Sequence, residues 1–160
     1  MKNATAPSTI DRNHPLTGAR GGKILAQLET WAYEDRRGIV TDSSGGFVLP
    51  SGARCAPDAA WTSRRRLPES LEGFWHVCPE FVVELKSESD RWPVLRAKMR
   101  EWIDNGAELA WLIDAETKTV EIYRPGAAPE IHRNAVEVAA GAPVDGFVLK
   151  LARVWDPVAR

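Results

Sequence analysis

Phe81-Val82-Val83-Glu84-Leu85-Lys86 decides how the rest of this chain is read. Its β-branched and aromatic content suits a strand, in which successive side chains point to opposite faces. Phe81, Val83 and Leu85 then form one uniformly apolar face that belongs against a core. Val82, Glu84 and Lys86 form the other, which ends in a carboxylate and an ammonium about 6–7 Å apart along the strand. Burying an acid and a base is costly unless they are paired or used. Upstream, Pro57-Asp58 precedes a second apolar run, Ala59-Ala60-Trp61.

Downstream, Trp92, Leu95, Met99, Trp102 and Ile103 recur at helical spacing, and Arg91, Lys98, Glu101 and Asn105 occupy the other positions. Ser89 or Asp90 is the expected cap, Pro93 fits the first turn, and Asn105-Gly106 ends the helix. Leu109–Ile113 follows as a near-continuous apolar run, the pattern of an interior strand covered on both faces. Strand, helix, strand predicts a parallel crossover, with 80–86 beside 109–113. On the other flank, residues 56–62 are expected to pair with 80–86.

Earlier in the chain, Ile24, Leu25, Leu28, Trp31 and Ala32 predict a helix from about Gly18 to Arg37, with Gly38 as its stop. Short extended pieces at 39–41, 47–49 and 56–62, separated by Ser43-Ser44-Gly45-Gly46 and Pro50-Ser51-Gly52, read as antiparallel hairpins. Residues 63–79 read as a charged loop. Late in the chain, strands are expected at Val120–Tyr123, Glu130–His132 and Phe147–Leu151, with Val154-Trp155 as a closing apolar contact. The fold class is therefore α/β, more closely an α+β arrangement with a central mixed sheet and helices on its faces. Residues 1–17 are expected to be a flexible tail, 18–155 one domain and 156–160 a C-terminal tail.

Composition narrows the function. With 160 residues the chain is long enough for one sizeable core. A net charge of −1 does not announce nucleic acid or membrane, so any DNA contact must come from local basic groups. Cys55 and Cys78 lack the spacing of a zinc or redox motif and read as reduced thiols. No run reaches membrane-spanning length and the first residues lack a leader's apolar centre, so a cytoplasmic location is expected. His14, His76 and His132 share no ligand spacing. Most of the seven tryptophans should be packing groups.

Asp58 and Glu84 supply two carboxylates if their strands lie side by side, and the Leu85 carbonyl can add a third oxygen. Oxygen donors of that kind suit Mg²⁺, which is bound through one or two carboxylates and keeps several waters. Lys86 cannot bind a cation. It can hold an attacking water or offset charge growing on a phosphate. Glu-x-Lys alone is usually a solvated polar face, and Pro-Asp alone is common in turns. Their combination, with 25 residues between Asp58 and Glu84 and an apolar strand leading in, is what points to a site. Arg64-Arg65-Arg66 can clamp a phosphate backbone, although a solvated loop is the commoner fate of such a run. For Lys98, phosphate contact and plain surface charge are equally open.

Pro57-Asp58 followed by Glu84-Leu85-Lys86 matches the PD-(D/E)XK signature of restriction-endonuclease-like nucleases. Asp42-Ser43-Ser44, Gly46-Phe47, Leu49-Pro50, Cys78-Pro79, Ser87, Ser89-Asp90, Ala97-Lys98-Met99, Asn105-Gly106-Ala107, Trp111-Leu112-Ile113-Asp114 and Tyr123-Arg124-Pro125-Gly126 extend the match. In these the chain resembles a large bacterial family of restriction endonucleases first catalogued as a domain of unknown function. The resemblance covers about residues 18–155. It implies a restriction-endonuclease-like core and Mg²⁺-dependent DNA cleavage, Mn²⁺ being an alternative ion. Asp58 and Glu84 would be metal ligands and Lys86 the catalytic lysine. It also implies a homodimer, since two copies of one site can cut both strands. Members of the family open with a β-hairpin carrying a Glu and a Gly, for which residues 1–17 show no counterpart, and Gly21 stands where a polar side chain is expected. A non-catalytic nucleic-acid-binding or oligomerisation module on the same fold is the alternative reading.

Overall fold

The computed structural model describes residues 14–160. The expected tail, and the place of the hairpin not found in the sequence, fall mostly outside the described residues. Helix α1 spans Pro15–Asp35. It starts earlier than its apolar spacing predicts because Pro15 occupies its first turn, where a missing N–H costs nothing. Ile24, Leu28 and Ala32 form its buried line. It ends before Gly38. Arg36 adopts the left-handed conformation at the C-cap (φ 63°), and its N–H is donated to the Ala32 carbonyl. Gly38 instead begins a strand, where a Cβ would lie 2.6 Å from the Thr62 carbonyl oxygen and run into the Trp61 ring. Close approach, not helix termination, is the reason for that glycine.

Six strands form the main sheet: β1 (Gly38–Asp42), β4 (Ala59–Ser63), β5 (Phe81–Leu85), β6 (Leu109–Asp114), β7 (Thr119–Tyr123) and β8 (Glu130–Arg133), in the order β1-β4-β5-β6-β7-β8. Strands β5 and β6 are parallel neighbours, with Phe81 opposite Leu109 and Leu85 opposite Ile113. Strand β4 pairs antiparallel on the other side of β5, with Ala59 opposite Val83. The sheet is thus mixed, and the stretch that opened the sequence reading lies at its centre, as expected. Helix α2 (Trp92–Asp104) makes the crossover between β5 and β6.

Both faces of β5 are covered. Phe81, Val83 and Leu85 pack under α1 with Trp111, Ile113 and Phe147. Val82 packs under α2 with Leu95, Met99, Trp102 and Leu112. A hairpin of β2 (Phe47–Val48) and β3 (Arg54–Cys55) closes that second layer, with Phe47 meeting Trp102 edge-on at 6.5 Å. The first layer is closed by a second hairpin, β9 (Glu137–Ala139) and β10 (Val148–Lys150), and by the short helix α3 (Ala152–Trp155). The strand expected at 147–151 therefore pairs with a strand the sequence did not suggest, and does not extend the main sheet. Trp61, Trp102 and Trp111 are buried.

Candidate active site

Strand register brings the two acids together. Ala59 lies opposite Val83, so Asp58, one residue before β4, falls opposite Glu84. Pro57 has no N–H to give to a ladder, which suits the residue leading into the strand. Beyond Ala59 the Asp58 side chain takes over from the ladder, and its Oδ2 accepts the Leu85 N–H at 2.7 Å. In a strand the N–H and C=O of one residue point to the same side, so the Leu85 carbonyl lies on this edge of β5 too.

Glu84 is 4 % exposed. Its Oε1 meets two groups of α2: it forms an ion pair with Lys98 Nζ at 2.8 Å and accepts a hydrogen bond from Trp102 Nε1 at 3.1 Å. Burial pushes the Glu84 carboxyl up to about 7, Lys98 works against that rise, and the Asp58 charge adds to it. Burial also raises Asp58, opposed by the Leu85 N–H and by Lys98. For Lys98 burial acts downward, but Glu84 beside it more than offsets this and holds the ammonium above its ordinary value. The buried Glu84 and the half-buried Asp58 thus share one ammonium, leaving an excess of negative charge when both are ionised.

That imbalance has a consequence for stability. The folded state holds the Glu84 proton more tightly than the unfolded chain does. Its contribution is fully present below the unfolded value, 4.5, and is lost as pH rises through the folded value of about 7. At about 1.4 kcal/mol per pH unit, the loss is on the order of 3 kcal/mol. Urea unfolding in EDTA is therefore expected to show wild type losing stability relative to Glu84→Gln between about pH 4 and pH 8. Parallel stability profiles for the two proteins would contradict this.

Lys86 leaves β5 on the Glu84 face, but its Nζ donates to the Ser87 carbonyl at 3.2 Å and lies 5.7 Å from the Trp92 ring centre. Arg96 occupies the same ring at 4.6 Å. The ammonium paired with Glu84 is that of Lys98. Helical spacing sets Lys98 off the apolar stripe; in the fold it shares a face with Trp102, one turn on, and reaches inward. Asp90 does not cap α2. Its Oδ2 accepts the Ser87 N–H and hydroxyl, both at 2.8 Å, which ties the loop after β5, and Arg91 is the N-cap without a side-chain bond.

The arginine run lies at the other end of β5, about 13 Å from Glu84 along the strand. Arg64–Arg66 form a single 3-10 turn. Arg64 Nε donates to the Arg36 carbonyl, and Arg65 is exposed. Arg66 reaches inward to the buried Glu80. Sequence reasoning missed the Glu80–Arg66 pair and Trp102 as a polar partner of Glu84. Only Lys98 and Trp102 at i and i+4 hinted at the second.

Among the described residues no three His, Cys, Asp or Glu side chains converge as a metal cluster. The site fits a Mg²⁺-type ion in another way. It offers two opposed carboxylates, a backbone carbonyl on the same edge and an uncompensated negative charge, with water completing the coordination. No helix among the described residues is long and apolar enough to cross a membrane.

No curated protein matches the chain. A solved structure from Anabaena variabilis, described as a "putative nuclease belonging to DUF820", superposes with a TM-score of 0.72 at 17% sequence identity, covering 88% of this chain and 80% of that one. The two share the fold. Residues 10–152 match the family model Uma2, whose description is "Putative restriction endonuclease", and the chain belongs to that family.

Proposed function

We propose that this protein is a Mg²⁺-dependent DNA endonuclease, with Mn²⁺ able to replace Mg²⁺. Membership of the family supports nuclease chemistry in general. The observation that carries the specific reading is the placement of the half-buried Asp58 opposite the buried Glu84 in a negatively biased corner at the end of β5. Asp58, Glu84 and the Leu85 carbonyl would hold the ion. When bound, it supplies charge neutralisation at the scissile phosphate and a lowered pKa for water.

The chain's own groups do the rest. The Leu85 N–H orients Asp58, and Lys98 balances Glu84. Lys86, one residue past β5 on a flexible four-carbon stem, is assigned to the attacking water or the phosphate. Arg64 and Arg65, both exposed, keep the role of backbone contacts with DNA in this proposal. A homodimer is proposed as the assembly, and light scattering giving the mass of a single chain at micromolar concentration would rule it out. A cytoplasmic location completes the reading.

The test is supercoiled plasmid, and separately single-stranded DNA, incubated with the protein in Mg²⁺, in Mn²⁺ and in EDTA. Nicking or linearisation in the first two and none in EDTA is expected. Binding of DNA with no cleavage in either metal would favour a non-catalytic binding module.

A further inference from the structure

Trp102 is wholly buried, and the apolar stripe of α2 is sufficient reason for its bulk. Bulk does not explain its hydrogen bond. The indole N–H is donated to Glu84 Oε1, the same oxygen that Lys98 holds. Two donors one helical turn apart therefore fork onto a single carboxylate oxygen. Among the described residues no hydrogen bond reaches Oε2. Asp58 lies opposite Glu84 across the β4–β5 pairing. The fork thus fixes the rotation of the Glu84 carboxyl group and assigns its two oxygens different tasks.

We propose that Trp102 is a positioning residue for the metal site, holding Glu84 so that Oε2 is the oxygen presented to the cation. This rests on the metal-dependent reading above and adds a residue to it. Partners that orient a metal-binding carboxylate typically contribute ten- to a hundredfold to affinity. The indole suits the task because it is a donor only. It cannot compete for the ion, and the ring is locked by the aromatic packing of Phe47 against it.

Trp102→Phe keeps an aromatic ring and removes the donor. Calorimetric titration with Mn²⁺ at pH 8 is expected to show affinity at least about tenfold weaker than wild type. In a Glu84→Gln background the same substitution should change the residual affinity little, because its effect passes through the carboxylate. A purely packing effect would be as large in both backgrounds, and that outcome overturns the proposal. So does equal Mn²⁺ affinity for Trp102→Phe and wild type. A measurement on unmutated protein covers the case in which Trp102→Phe fails to fold. The Trp102 indole N–H resonance, assigned through the backbone, should shift on Mg²⁺ titration to saturation. An unmoved resonance counts against the role. If wild type binds no Mn²⁺ at all, both this inference and the metal-dependent reading fail; if wild type binds and Trp102→Phe binds equally, only this inference fails.

Discussion

Replacing Arg66 by methionine is expected to destabilise the fold by about 3–5 kcal/mol, the cost of leaving one member of a buried ion pair without its partner. Glu80 immediately precedes β5 and is 1 % exposed. Its Oε2 accepts the Ser63 N–H at 2.9 Å, the Ser63 hydroxyl donates to Oε1, and Arg66 Nε lies 3.3 Å from Oε1. The same guanidinium donates to the carbonyls of Cys78 at 3.1 Å and Gly106 at 2.8 Å. One side chain therefore joins the end of β4, the approach to β5 and the turn after α2. Methionine fills the stem's volume but supplies none of the donors, and lysine cannot reproduce the planar fork that reaches both carbonyls. Chemical denaturation of Arg66→Met beside Arg65→Met separates this from a general effect of charge. Arg65 is exposed and its replacement should stay within about 0.5 kcal/mol of wild type. Equal stability for the two variants would remove the structural role of Arg66.

The run Arg64-Arg65-Arg66 shows where sequence reading stops. Three adjacent like charges look equivalent, and only the 3-10 turn that begins at Arg64 sends Arg66 inward while leaving Arg65 in water. The opposite holds for β5, α2 and β6. There the local signals agree with the global fold: an apolar strand, an amphipathic helix and an interior strand leave one parallel arrangement, which the structure has. That Asp58 and Glu84 face each other was legible only as far as the expected pairing of their strands, and the register completes it. Lys98 was not legible. Its partner depends on the rotation of α2 over the sheet, which Trp102 and the β2–β3 hairpin set through contacts distant in sequence. Gly38 misled because a glycine after a helical run has two readings, helix stop or close contact, and only the position of Trp61 chooses between them.

Within the candidate site, substitution is expected to sort the residues by what each does. Glu84→Ala and Asp58→Ala each remove a proposed ligand, so Mg²⁺ affinity and cleavage should collapse together. Asp58→Ala also strips the Leu85 N–H of its acceptor, whereas Asp58→Asn keeps an oxygen for that N–H and loses only the charge. Loss of cleavage in Asp58→Asn as complete as in Asp58→Ala therefore assigns the effect to the missing ligand charge and not to a frayed strand end. Lys86→Ala should behave differently. Its ammonium rests on the Ser87 carbonyl and the Trp92 ring, not on either carboxylate. Removing it takes a positive charge from the neighbourhood of the ion, so metal affinity should hold or rise. Cleavage should still fall on the order of a hundredfold, the usual effect of losing one group that stabilises charge in the transition state. Calorimetric titration with Mg²⁺ and plasmid nicking on the same preparations read both quantities. If Lys86→Ala cuts as fast as wild type, the assignment of Lys86 to the water or the phosphate fails. The metal-dependent reading would survive that result, because Lys98 already supplies an ammonium against Glu84.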